Sequence, residues 1–171
     1  SPKRTSAGFV RSWIKSEFVL RKEAFNFLFI CFSGEELGLM GSKRFCENPT
    51  IDLAKVNYMI NMDMIGRLND STKQLIIYGV GTAPDWVPMI DKLSSDLKIK
   101  KDSAGIGPSD QTSFYLKNIP VLHFFTGQHE DYHKPTDEVD KINFQKMEKI
   151  TRLIFFTTWE WLNKNERIEV D

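Results

Sequence analysis

The stretch from Phe25 to Phe32 (FNFLFICF) is almost wholly apolar and ends abruptly at Ser33-Gly34-Glu35-Glu36. A run this apolar and aromatic reads as a central strand, covered on both faces. Two adjacent carboxylates directly after it limit what can surround them. Buried carboxylates require a charge partner or a metal, and two side by side repel each other unless a cation is near. One reading is a metal site, with one glutamate as ligand and the other as general base. The other is a helix start, where the backbone dipole and free N–H groups favour acids. A motif this short does not choose between them.

The rest of the chain alternates strand-like and helix-like patterns. Trp13 to Glu23 mixes apolar and basic residues and suits a helix. A second helix is predicted from about Glu36 to Glu47, stopped by Asn48-Pro49. Val56 to Met64 is rich in strand formers and ends at Gly66. Leu75 to Tyr78 is a short strand closed by Gly79 and Gly81. Trp86, Met89, Ile90, Leu93 and Leu97 recur at helical spacing. Lys98 to Asp102 suits an edge strand, and Ser109 to Leu116 a short helix. Ile119 to Phe125 reads as a buried strand, and Phe144 to Leu162 as a long helix. Alternation of this kind implies an α/β fold: a three-layer α/β/α sandwich on a mixed, mostly parallel sheet. With no repeat, linker or low-complexity tract, residues 1–171 are expected to form one domain.

Bulk composition narrows the function. Lysine plus arginine and aspartate plus glutamate number 23 each, so the net charge is zero. A nucleic-acid binder usually shows a basic excess, though a local patch remains compatible with this balance. No apolar run approaches the roughly 20 residues that span a bilayer. No signal peptide is visible, and a mature secreted protein would look the same. Cys31 and Cys46 are too few for a disulfide scaffold, and Cys31 is expected to face the core. Cys-x-x-Cys and His-Glu-x-x-His are both absent.

The polar oddities fall at strand ends. Glu35 and Glu36 follow the first predicted strand, Asp63 closes the second, and His129, Asp131, Tyr132 and His133 follow the last. Sites in open α/β sheets gather beyond the carboxyl ends of strands. Glu, Asp and His without a thiolate suit zinc in a catalytic rather than a structural site. Each residue also has a plain reading: Asp63 as an acid bonded to backbone N–H groups, and His133 as a loop histidine beside Asp131. His123, alternating with apolar neighbours, reads as a core histidine or one standing behind the ligands.

Taken together and in order, SGEELGLMGS, NMDMIGR, GPSD-x-TSFY and PVLHFFTG-x-H-x-DYH-x-P-x-D resemble the co-catalytic zinc aminopeptidases. That family includes secreted bacterial leucyl aminopeptidases and plasma glutamate carboxypeptidase, with glutaminyl cyclases as relatives. The resemblance spans Phe25 to about Asn143. It implies that Glu35 is the general base, that Glu36 and His133 hold one zinc, and that Asp63 belongs to the other. It implies that Tyr132 steadies the oxyanion and that Ser109 and Asp110 wall the substrate pocket. The implied reaction is hydrolysis of the N-terminal peptide bond of a peptide substrate. A secreted, periplasmic or lumenal setting follows by the same resemblance.

Two departures qualify that picture. Gln111 stands where the family usually reads His, so any proton-handling role there is lost. The family also carries a His-x-Asp and a metal-bridging Asp upstream of the paired glutamates, whereas residues 1–34 contain neither His nor Asp. The expectation is therefore a catalytic domain incomplete at its N-terminus, holding at most one zinc rather than two, and able to associate through an unpaired sheet edge. A one-zinc glutaminyl cyclase or a non-catalytic peptide-binding homologue are the alternatives.

Overall fold

The computed structural model describes residues 26–72, 74–93, 97–164, 167 and 168. Among them, β1 (Met59–Asp63), β2 (Gln74–Tyr78), β3 (Lys98–Asp102) and β4 (Val121–Phe125) form one sheet in the order β1-β4-β2-β3. β1 runs parallel to β4 and β2 parallel to β3, while β2 meets β4 antiparallel. The sheet is thus mixed, with β1 and β4 ending at the same edge. The helices are α1 (Met40–Glu47), α2 (Trp86–Leu93), α3 (Gln111–Tyr115) and α4 (Phe144–Lys164), with 3-10 turns at Leu53–Lys55 and Val139–Lys141.

Side-chain alternation along β4 divides the interior into two cores. Leu122 and Phe124 join Leu75 and Ile77 on one face, packed against Trp86 and Ile90 of α2 and Ile150, Leu153, Ile154 and Trp161 of α4. Val121 points the other way, to Phe114 of α3 and Cys46 of α1, with Phe32, Phe45 and Met59 around them. Successive strand residues face opposite sides, so one strand serves both cores and the result is three layers. Fully buried Leu122, Phe124, Trp86 and Trp161 each remove roughly 2–3 kcal/mol of apolar surface from water.

β2, β3, β4 and α4 lie close to where the residue pattern puts them. The predicted helix over Trp13–Glu23 lies outside the described residues. Three expectations are overturned. Residues 26–32 form no strand, and Phe27, Leu28, Phe29 and Ile30 are exposed, Phe29 at 70%. An apolar run becomes a strand only where its backbone groups find a ladder, and no described strand pairs with the outer edge of β1. Cys31 on the same segment is accordingly exposed rather than in the core. The first helix also starts at Met40, not Glu36. Gly34 (φ 65°), Gly38 (φ 95°) and Leu39 (φ 62°) hold the backbone in left-handed turns that no α-helix accommodates.

The turn after β2 depends on one glycine. Gly79 has φ 82°, and a Cβ there would stand 2.4 Å from the Val121 carbonyl oxygen. The Thr82 hydroxyl, 2.7 Å from the Gly79 carbonyl oxygen, accepts from the Val121 N–H at 3.0 Å and from Trp86 Nε1 at 3.2 Å. Gly79→Ala combines backbone strain with overpacking at this knot, and should cost on the order of 3 kcal/mol. The measurement is urea unfolding. A midpoint equal to wild type would refute the close approach.

A candidate metal centre at one edge of the sheet

Two segments come together where β1 and β4 end. Glu35 and Glu36 sit on the turn into α1, whose N–H groups close back on it: Met40 N–H donates to the Gly34 carbonyl at 3.0 Å and Leu39 N–H to that of Glu35 at 2.8 Å. Tyr132 and His133 lie on the loop beyond β4. Glu36 Oε1 meets His133 Nε2 at 2.6 Å, across 97 residues of sequence. The Tyr132 ring stacks on His133 with centroids 3.8 Å apart. Tyr132 feels the charges of Glu36, Asp63 and Glu35, which, after burial as the first cause, raise its phenol above the usual value.

The second group surrounds Asp63, the last residue of β1. Asn61 Nδ2 donates to Ser109 Oγ at 2.8 Å and to Gln111 Oε1 at 3.0 Å, and the Ser109 hydroxyl stands 3.4 Å from Asp63 Oδ2. His123 Nε2 is 3.7 Å from Asp63 Oδ2, and that nitrogen is buried without a hydrogen-bond partner. The Ser42 and Ser113 hydroxyls, 2.8 Å apart, fasten α1 to α3. Glu35 joins this group through a hydrogen bond to Ser109. Burial first, then the charge of Glu36, raises its carboxyl above the ordinary range, while the Ser109 bond opposes the shift.

The backbone around these residues is unusual. Met64, directly after Asp63, has φ 55° and His133 has φ 57°. Left-handed backbone is uncommon outside glycine, and such positions collect at functional sites. Thr126 Oγ1 donates to the Met64 carbonyl at 2.5 Å, holding that turn against the end of β4.

Behind the loop lies a set of ion pairs. Asp131 accepts from Arg67 at 2.7 Å, Lys141 at 2.6 Å and the Thr136 hydroxyl at 2.7 Å. Arg67 also reaches Asp137 at 2.5 Å. The Lys141 bond, then Thr136 and Arg67, hold the Asp131 carboxyl far below the ordinary carboxylate range.

Of the residues singled out from sequence, the structure brings Glu36 and His133 into contact, with Tyr132 against them, and links Glu35, Asp63 and Ser109 through one serine. Asp110 acts on Glu35 electrostatically, and its Oδ1 is buried without a partner. Ser109 itself is only 4% exposed. Sequence reasoning gave no role to Asn61 or Arg67, although both lie within the NMDMIGR segment. Their position two before and four after Asp63 was the available signal. Among the described residues, no three His, Cys, Asp or Glu side chains gather closely enough to hold a metal by themselves. The donor chemistry of the Glu36–His133 contact nonetheless fits zinc: one carboxylate oxygen and one imidazole nitrogen.

Comparison with known proteins bears on the fold and the family. The mixed three-layer fold is that of zinc aminopeptidases. BSAP, a zinc aminopeptidase from Bacillus subtilis, superposes with a TM-score of 0.65 at 21% identity, over 81% of this chain and 35% of that one. Legionella pneumophila LapA aminopeptidase gives 0.61 at 24% identity, over 77% and 38%. Aminopeptidase YwaD of Bacillus subtilis (strain 168) is 25% identical over 151 residues, 81% of this chain and 32% of its own length. Leupeptin-inactivating enzyme 1 of Streptomyces exfoliatus is 31% identical over 117 residues, 64% of this chain and 24% of its own length. The chain thus spans about a third or less of these curated relatives. The model for peptidase family M28 matches residues 18–158, and the chain belongs to that family. Among the described residues, no helix is long and apolar enough to cross a membrane.

Proposed function

We propose that this chain forms the part of a zinc-dependent aminopeptidase that carries the general base and one zinc site, acting on the N-terminal bond of peptides. The observation behind this reading is the 2.6 Å meeting of Glu36 and His133 beside Glu35 and Tyr132. Glu36 and His133 would hold one zinc, and Asp63 would serve a second position whose other ligands are not among the described residues. Zinc, when bound, supplies Lewis acidity toward the scissile carbonyl.

The remaining chemistry falls to side chains. The Glu35 carboxylate takes a proton from the attacking water and returns it to the leaving amine nitrogen. A group that must both accept and release a proton works best with its pKa raised toward the operating pH, the direction that burial and Glu36 impose on Glu35. Ser109, which accepts from Asn61, has one hydroxyl proton to give to the Glu35 or the Asp63 carboxylate. The Tyr132 hydroxyl donates a hydrogen bond to the developing oxyanion. A phenol is protonated, and so a donor, at neutral pH, and the upward shift here runs in the same direction.

The test, made on a complete enzyme that contains this segment, is zinc content together with a panel of free and N-acetylated aminoacyl anilides. Zinc-dependent release of aniline from the free substrates alone is expected. Cyclisation of an N-terminal glutaminyl peptide without hydrolysis would replace the peptidase by a cyclase. A zinc-loaded protein that binds peptides but turns none over would overturn both.

A further inference from the structure

The geometry points to Arg67 and Asp131 as positioning residues: a clasp that ties the strand end carrying Asp63 to the loop carrying Tyr132 and His133, and so sets the zinc site before metal arrives. This rests on the reading of Glu36 and His133 as zinc ligands.

Arg67 follows Asp63 by four residues, at the turn leaving β1. Asp131 immediately precedes Tyr132 and His133. The two are 64 residues apart in sequence and 2.7 Å apart in space. The arginine fork spans two carboxylates of one loop, Asp131 on one side of His133 and Asp137 on the other. Lys141 and Thr136 occupy the second oxygen of Asp131. Asp131 is 6% exposed, so these bonds are shielded from competing water.

What else fixes the loop is mostly local: its own turn hydrogen bonds, such as Tyr132 N–H to the His129 carbonyl and Lys134 N–H to that of Asp131, and the Thr126 hydroxyl on the Met64 carbonyl. Residues 126–138 contain no helix or strand. The ground beside it is a polar cleft of about 980 Å³, lined by Arg67, His129, Lys141 and Asn143 among others, rather than core. His133 sits at φ 57°, a backbone state that its surroundings must enforce. A planar fork holding carboxylates on both sides of His133 can enforce it, and a lysine, with one point charge, cannot hold both.

The test uses the native polypeptide and measures zinc affinity by chelator competition, with thermal unfolding of the zinc-free protein alongside. Arg67→Lys and Thr136→Val are the variants. Thr136 is exposed and its isosteric replacement removes one bond to Asp131 with little risk to folding. Lys92→Met, which breaks the distant Lys92–Glu160 pair, is the control. Zinc affinity should fall about 10- to 100-fold in Arg67→Lys and less in Thr136→Val, as for groups that orient metal ligands. At saturating zinc the residual loss should fall on kcat rather than KM. The control should match wild type. Variants that unfold at lower temperature yet bind zinc within twofold of wild type would show a merely structural role and overturn the proposal. If Arg67→Lys fails to fold, Thr136→Val decides by the same criterion. A wild-type protein that binds no zinc would instead remove the reading beneath it.

Discussion

In a complete enzyme containing this segment, Glu35→Gln should abolish nearly all turnover while leaving zinc content unchanged. The amide preserves the shape of the side chain and can still meet the Ser109 hydroxyl, but it cannot accept a proton from water. Loss of a general base typically lowers the rate by about 10²- to 10⁴-fold. Glu35 is separated from the proposed ligands by function and not by distance: it shares the turn with Glu36 and the serine with Asp63. Zinc affinity and rate should therefore part company in this variant, and the pair of measurements is what identifies a base. Turnover within tenfold of wild type at normal zinc content would remove Glu35 from that role.

His133→Asn should do the opposite and lose the metal first. Asparagine tolerates the left-handed backbone found at this position, so the variant separates loss of the imidazole from strain in the loop. Its amide is too short to reach the place where His133 Nε2 now meets Glu36. With one of two proposed ligands gone, zinc affinity should fall by more than the 10- to 100-fold expected when only orienting residues change. Activity at limiting zinc should fall with it. Chelator competition on the folded variant measures this, and an affinity equal to wild type would exclude His133 as a ligand.

The elements that could be read in advance are those whose pattern is local. The lysines of β3 mark an edge, Ile119 to Phe125 is apolar enough to be central, and α4 carries its core stripe at Ile150, Leu153, Ile154 and Trp161. The candidate site residues were singled out for a different reason, as ordered motifs at predicted strand ends. What failed was any inference needing a distant partner. Hydrophobicity along residues 26–32 does not say whether a ladder is available. The start of α1 was misplaced because Gly34, Gly38 and Leu39 turn the chain left-handed, a choice that only the turn's own hydrogen bonds explain. Asn61 with Ser109 and Arg67 with Asp131 join residues 48 and 64 positions apart, and no spacing rule connects them.

Among the described residues the two edges of the sheet are guarded unequally, and this bears on how the chain behaves at high concentration. β3 presents Lys98, Lys100 and Lys101 along one edge, charges that repel a second copy. β1 presents Met59, Ile60, Asn61 and Met62 along the other, and the exposed Phe27-Leu28-Phe29-Ile30 stretch adds an uncharged, proline-free segment of high β-propensity. Segments of that composition are seeds for cross-β stacking. Produced as a separate polypeptide, the chain should precipitate by way of this side. A single lysine at Phe29, exposed and outside both cores, should keep more of it in solution.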